Sequence, residues 1–446
     1  MAIKVGMVSL GCSKNLVDSE RMLYKIRERG YKLVAESGDA DIVVVNTCGF
    51  IQSAKEEALE TILELCTLKA EGSIKKIIIT GCLTERYKEE AAELFPEVDA
   101  VIGIGVNEDI IDVIDRVLAN KRVIKFEAKK ELCLTGKRII STLPFFAYLK
   151  IADGCSNCCS YCAIPMIRGG FRSVPMNDVL EEAQWLAENG VTELIVVAQD
   201  STRYGEDLYG KSELPLLLHK LCKIENIKWV RVLYCYPERI TEDLIEVMAT
   251  EDKIVKYMDI PIQHCNADIL KAMNRKGDAE SLRALFARLR ERIPDITLRT
   301  TLITGFPGES EEQFSELAEF VKEIEFDRLG CFPYSEEEGT PAASFDNQVA
   351  EEVRSHRADI IMEQQQLISE RKNAAKLETV TEAVVEGFDR WAECYFGRTS
   401  ADAPDIDGKI FFTCPEKLEI GQYVKIKVNE TLDYDLMGEV INESAE

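Results

Sequence analysis

Twice along its 446 residues this chain alternates short β-rich runs with helical stretches, and that alternation most narrows the folds open to it. A helix between two strands carries the chain back to the edge it left, so the strands lie parallel. In the first alternation strand-like runs fall at residues 3–9, 41–46, 76–80 and 100–103. Helical patterns fill 16–29, 54–68, 83–94 and 109–119, the first closed by Gly30 as a helix stop. In the second, strands at 146–151, 193–198, 229–234, 257–260, 297–301 and 328–332 enclose helices at 177–189, 241–250, 279–292 and 310–324. Six βα units predict a partial barrel, open at one side. A polar helical stretch at 348–377 leads to β-like pieces at 379–386, 392–396, 410–413, 423–429 and 437–441, which predict a small β-barrel. The expected organisation is α/β. An N-terminal open parallel α/β sheet domain spans 1–120, and a central partial (β/α)6 barrel with its connecting helix spans 141–372. A C-terminal β-barrel spans 376–446.

Cysteines mark the same frame. After the first strand of the second set comes Asp153-Gly154-Cys155-Ser156-Asn157-Cys158-Cys159-Ser160-Tyr161-Cys162, placing Cys155, Cys159 and Cys162 in a C-x3-C-x2-C array. Three close thiolates hold three irons of a cubane cluster and leave the fourth iron open, which points to chemistry at the metal rather than electron transfer alone. With an aromatic residue, Tyr161, before the third cysteine, the loop resembles the signature of radical S-adenosylmethionine (SAM) enzymes. A structural zinc site needs a fourth ligand, and the chain has only three histidines, none close by. Cys158 allows a reversed spacing, Cys155-x2-Cys158-x3-Cys162; the forward array is the one that matches, leaving Cys158 a spare thiol.

Three more cysteines follow strands of the first set: Gly11-Cys12, Thr47-Cys48 and Gly81-Cys82. Ligands of open α/β sheets bind outside the carboxyl ends of the strands, so three such loops bring three thiols to one edge and predict a second metal site with an open position. Fifteen cysteines without a secretory signal fit a reducing cytoplasm; the short apolar start carries Lys4 and lacks a cleavage site. No apolar run reaches the roughly 18 residues of a membrane span.

All three segments together resemble the methylthiotransferase family: an N-terminal cluster domain, a radical SAM core and a C-terminal TRAM domain. The resemblance implies two [4Fe-4S] clusters, one on Cys155, Cys159 and Cys162 and an auxiliary one on Cys12, Cys48 and Cys82. The loop Gly11-Cys12-Ser13-Lys14-Asn15-Leu16-Val17-Asp18-Ser19-Glu20 is similar to the GCPKNxVDSE of the RimO-type branch, with Ser13 in place of proline, whereas the tRNA-modifying branch tends to GCQMN. Asn46-Thr47-Cys48-Gly49-Phe50-Ile51, the stretch from Ala198 to Gly205, and Tyr395-Phe396-Gly397-Arg398-Thr399 are similar to the same branch. It implies as substrate an aspartate of the twelfth small-subunit ribosomal protein, and as electron donor a low-potential carrier such as flavodoxin or ferredoxin. A SAM-derived radical would take a β-hydrogen, and a methylthio group assembled at the auxiliary cluster would replace it. SAM contacts are expected at Tyr161, Gln199, Asp200, Gln263, Ile303 and Gly305, with His264 a further ribose or substrate candidate. Adenosine modification in tRNA is the neighbouring alternative, and an iron–sulfur carrier or scaffold the distant one.

Charge favours a protein substrate. Lys and Arg number 54 against 79 Asp and Glu, a net charge of −25. From Lys376 onward 7 basic residues face 16 acidic ones. Such a surface repels phosphate backbones and attracts a basic ribosomal protein, so little direct nucleic-acid binding is expected. Asp402, Asp405 and Asp407 are expected among the attracting charges.

Overall fold

A computed structural model describes residues 3–127 and 134–441; the outermost bounds expected at 1 and 446 lie outside these residues. The first six strands, β1 (Lys4–Ser9), β2 (Lys32–Val34), β3 (Ile42–Thr47), β4 (Lys76–Gly81), β5 (Ala100–Ile102) and β6 (Val123–Lys125), form one sheet in the order β2-β1-β3-β4-β5-β6. Every pairing is parallel. The helices α1 (Ser13–Glu28), α2 (Gln52–Ala70), α3 (Cys82–Leu94) and α4 (Ile110–Leu118) lie on its two faces. Ile77 and Ile79 point to the α2/α3 side and Ile78 to the α1/α4 side, as the two-residue period of a fully buried strand dictates. Strand order reverses between β1 and β3, and at such a switch point the loops diverge to leave a crevice at the carboxyl edge.

The second sheet begins with β7 (Phe146–Lys150). A two-residue ribbon, β8 (Ala152–Asp153) with β9 (Arg172–Ser173), then closes the base of the cysteine loop, which carries the short helix α5 (Ile164–Arg168). Next come α6 (Met176–Glu188), β10 (Glu193–Val197), α7 (Glu206–Tyr209), α8 (Leu214–Leu221), β11 (Trp229–Val232), α9 (Glu242–Thr250) and β12 (Ile254–Asp259). The half ends with α10 (Ala267–Ala272), α11 (Ala279–Arg292), β13 (Thr297–Thr304), α12 (Glu311–Ile324) and β14 (Arg328–Pro333). Six parallel strands in the order β14-β13-β12-β11-β10-β7 make an open partial barrel. Leu194 and Val196 face the helices, whereas Ile195 and Val197 face the concave side.

The connecting helix α13 (Glu351–Ala374) crosses back over β13 and β14 to a closed barrel of β15 (Val380–Asp389), β16 (Cys394–Thr399), β17 (Ile410–Thr413), β18 (Tyr423–Thr431) and β19 (Leu436–Val440). This barrel packs on the concave face of the second sheet. Val384 and Ala403 join one apolar cluster with Tyr148, Ile195, Tyr257 and, from α1, Val17, so all three parts of the chain meet there.

That contact corrects one expectation. Asp402 is 3% exposed and pairs with Arg328 at 2.5 Å. Asp407 accepts from the Tyr257 hydroxyl at 2.7 Å and lies 3.5 Å from the Arg299 guanidinium. Both carboxylates hold the barrel against the sheet; of the three only Asp405 is exposed. Arg398 of the barrel is likewise buried between Glu193, at 2.7 Å, and Glu386, at 2.5 Å.

Candidate metal centres

The first cysteine triad stands where the switch point opens. Cys12 caps the start of α1, Cys48 follows β3 and Cys82 opens α3. The loops approach so closely that only glycine fits before Cys12: Gly11 has φ +88°, and a side chain there would meet the Cys48 Cβ at 2.6 Å. Asn15, on the first turn of α1, ties the loops together by donating from Nδ2 to Leu10 O at 2.8 Å and Thr47 O at 3.2 Å. Asn46 returns the bond, Nδ2 to Asn15 O at 2.9 Å.

Burial pushes the Cys82 thiol up to about 12 and raises Cys48 as well. At Cys12 burial also pulls upward, but the Lys14 and Arg168 charges and the backbone N–H groups of Asn15 and Lys14 outweigh it, and the thiol is lowered. Buried thiols that resist ionising alone suit a metal, which takes up the thiolate charge.

The second triad lies in residues 154–171. Cys155 and Cys159 are buried, Cys162 is half-buried, and Cys158 is exposed, in a left-handed backbone conformation (φ +53°). Burial raises Cys155 to about 11 and carries Cys162 higher. Gly154, with φ +74°, lets the loop fold onto Gly170, whose oxygen would lie 2.2 Å from an added Cβ. The Cys159 sulfur is 2.8 Å from the Tyr236 hydroxyl. Among the described residues no His, Cys, Asp or Glu group closes as the ligands of one metal ion would. Thiolates that each bind a different iron of a cubane stand wider than ligands sharing one ion.

The expected SAM contacts take several places. Tyr161 and Ile303 share an apolar cluster with Phe306 and Tyr334 beside the cysteine loop. Gln199, two residues past β10, has a buried Oε1 without a partner, an acceptor left open for a ligand. Asp200 is fully buried and already engaged, accepting from Asn157 Nδ2 at 2.8 Å and from the Thr202 hydroxyl at 2.5 Å, so it moors the cysteine loop. Gln263 (φ +69°) pairs through its backbone with Thr301 and Ile303. The Gly305 N–H is taken by Glu309 Oε2 at 2.6 Å, and Arg354 packs against its α-carbon. His264 is wholly buried; Nδ1 accepts from Asn266 N at 2.9 Å and Nε2 lies 3.1 Å from Glu309 Oε1, so both ring nitrogens are engaged within the protein.

Between the triads lies a charged layer that sequence reasoning missed. Arg168, the last residue of α5, donates to Asp153 at 2.9 Å, Asp18 at 3.1 Å and Asn15 Oδ1 at 3.1 Å. Its charge also works against burial at Cys82, favouring the thiolate there. Lys150 pairs with Asp153 at 2.9 Å and with Asp18. Lys14 is buried with its Nζ 3.5 Å from the Tyr234 ring centroid. Lys14 and Asp18 stand four apart in the quoted cysteine motif, on one face of a helix start, the one available sign that both turn toward the site.

Residues 4–103 match the family described as "Uncharacterized protein family UPF0004", 149–321 the radical SAM superfamily and 379–441 the TRAM domain. The chain is 48% identical to the ribosomal protein uS12 methylthiotransferase RimO of Acetivibrio thermocellus, over the full length of both. Against the protein of the same name from Clostridium tetani it is 46% identical, over 99% of each. The solved radical S-adenosylmethionine methyltransferase TsrM of Kitasatospora setae, with cobalamin and a [4Fe-4S] cluster bound, superposes with a TM-score of 0.57 over 77% of each chain. Identity there is 13%, so that likeness carries the fold alone.

Proposed function

The chain belongs to the RimO-type ribosomal protein uS12 methylthiotransferases, and on that premise we propose that its two cysteine triads serve one reaction, adding a methylthio group to the β-carbon of an aspartate in that ribosomal protein. Cys155, Cys159 and Cys162 would hold the SAM-binding [4Fe-4S] cluster, and Cys12, Cys48 and Cys82 the auxiliary one. When bound, the cluster and SAM supply hydrogen abstraction from an unactivated carbon, chemistry that no acid–base side chain provides.

The contact between the two housings carries the reading. Ala163 and Ile167, just past the second triad, pack directly on Cys82 of the first, and the Arg168 charge favours its thiolate. A sulfur-donating site and a hydrogen-abstracting site have to share one substrate carbon, and the adjacency of the two cysteine loops supports that reading. The rest of the chain positions and encloses. Asn15 and Asn46 clamp the first loops, Asp200 moors the second loop through Asn157, and the Tyr161–Ile303–Phe306 cluster offers an apolar wall for adenine. Gln199 Oε1 offers an acceptor for an ammonium or hydroxyl. Residues 1–120 would form the auxiliary-cluster domain, 141–372 the SAM core and 376–446 a substrate-facing barrel. Among the described residues no helix is long and apolar enough to cross a membrane, and we place the enzyme in the cytoplasm with its ribosomal substrate, served by a flavodoxin- or ferredoxin-like donor.

Mass spectrometry of uS12 after incubation with the reconstituted protein, SAM and a reductant tests this. Gain of one methylthio group on the aspartate is expected; gain on tRNA instead would move the chain to the adenosine-modifying branch.

A further inference from the structure

Lys14 lies at the domain seam without a carboxylate partner among the described residues, although it is only 6% exposed. Its Nζ lies over the Tyr234 ring, and the neighbouring charges are those of Cys12 and Arg168. The other buried cations of this seam are matched: Lys150 and Arg168 by Asp18 and Asp153, Arg138 by Glu20. Lysines are almost never this buried without an anionic partner, because an ammonium taken from water needs one. A cation over an aromatic face is only partly compensated.

The surroundings are built to hold that ammonium still. Tyr234 has a left-handed backbone (φ +63°), strained for a tyrosine, and strain of this kind gathers at ligand sites. Asp259 pins the strained residue by accepting from its backbone N–H at 3.0 Å, and is itself held by Arg299 at 2.8 Å. Lys14 is two residues from Cys12, on the opening turn of α1, so an anion bound to it lies next to the first triad.

We propose that Lys14 receives the side-chain carboxylate of the aspartate to be modified. This rests on the substrate reading above and gives it a residue. A carboxylate is one bond from the β-carbon, so anchoring it fixes the reacting atom, and an asparagine at the target position would forfeit the ion pair. Lys14 then selects aspartate over asparagine.

The test measures binding of two uS12-derived peptides, one with the target aspartate and one with asparagine there, to the reconstituted enzyme by fluorescence anisotropy. Wild type is expected to favour the aspartate peptide by about tenfold or more, K14M to bind both alike, and K14R to restore part of the preference. Iron and sulfide are counted on the same preparations. K14M with a full iron complement and no preference supports the proposal. K14M that keeps the wild-type preference, or that loses iron, overturns it, the latter by showing that Lys14 serves the cluster. If wild type adds no methylthio group to uS12 at all, the substrate reading fails; if it does and K14M still prefers aspartate, only the role of Lys14 fails.

Discussion

Arg168, six residues past the last cysteine of the second triad, and Asp18, six past the first cysteine of the other, meet at 3.1 Å in the buried seam between sheets. The pair joins two cysteine loops that are 150 residues apart in sequence. Both ends have further partners, Arg168 in Asp153 and Asn15, and Asp18 in Lys150. Burial would raise Asp153, but Arg168 and Lys150 hold its carboxyl far below the usual range.

Removing Arg168 therefore strands two carboxylates on Lys150 alone. Arg168→Ala should cost about 3–5 kcal/mol, the usual range for breaking a buried pair. Arg168→Lys should cost less than Ala yet fall short of wild type, since an ammonium cannot serve Asp153, Asp18 and Asn15 as the guanidinium fork does. Thermal unfolding under anaerobic conditions reads both; a midpoint unchanged in Arg168→Ala would contradict the seam's role.

The triads should lose metal independently. Cys155→Ala, Cys159→Ala and Cys162→Ala together should remove about half the iron and all SAM cleavage, given two cubanes of equal iron count. The Cys12, Cys48 and Cys82 triple variant should lose the other half and retain reductive SAM cleavage. Cys158→Ala should keep both, because its exposed, outward position takes it away from the triad. Iron retained in full by either triple variant would refute two separate sites.

Strands and long helices were legible because each buries a face with the period of its own geometry. The edge strands β2 and β6, three residues each, show too little of a period to be read, and α8, apolar nearly all round in Leu-Pro-Leu-Leu-Leu, has no polar face to mark it as a helix. The position of Cys12, Cys48 and Cys82 just after strands was legible because a strand's end is a local feature. Lys14, Asp18, Asp153 and Arg168 were not: their burial comes from two sheets closing on one another. Asp402 and Asp407 show the same blindness, since a charge count cannot tell a solvated carboxylate from one spent on an arginine.

Asp402 carries a pH signature. Burial would raise its pKa, but Arg328 and the Thr399 hydroxyl outweigh it, and the carboxyl is held below the ordinary 3.8. A depressed pKa stabilises the fold fully above the unfolded value and loses that contribution as pH falls through the folded one. Asp402→Asn should thus be destabilised at pH 7, by about 3–5 kcal/mol for a broken buried pair. The gap to wild type should close progressively below the ordinary 3.8. Thermal midpoints measured from neutral to acid pH test this; a gap that widens on acidification would contradict it.

Binding of the basic substrate should instead depend on the acids the barrel leaves in solvent. Glu393, Asp405, Glu416 and Glu430 are exposed. Exposed pairs contribute roughly 0–1 kcal/mol each, so a single neutralisation should hardly register, and all four changed to Asn or Gln should weaken uS12 binding by a few-fold to tenfold. Added salt should shrink that difference, since charges further apart than a Debye length of about 8 Å at physiological ionic strength are largely screened. Asp402→Asn acts at a buried contact, so its effect on binding should follow loss of barrel docking and persist in high salt. Equilibrium binding across a salt series separates the two: a salt-insensitive loss in the fourfold surface variant would mean that the barrel's acids serve the fold rather than the substrate.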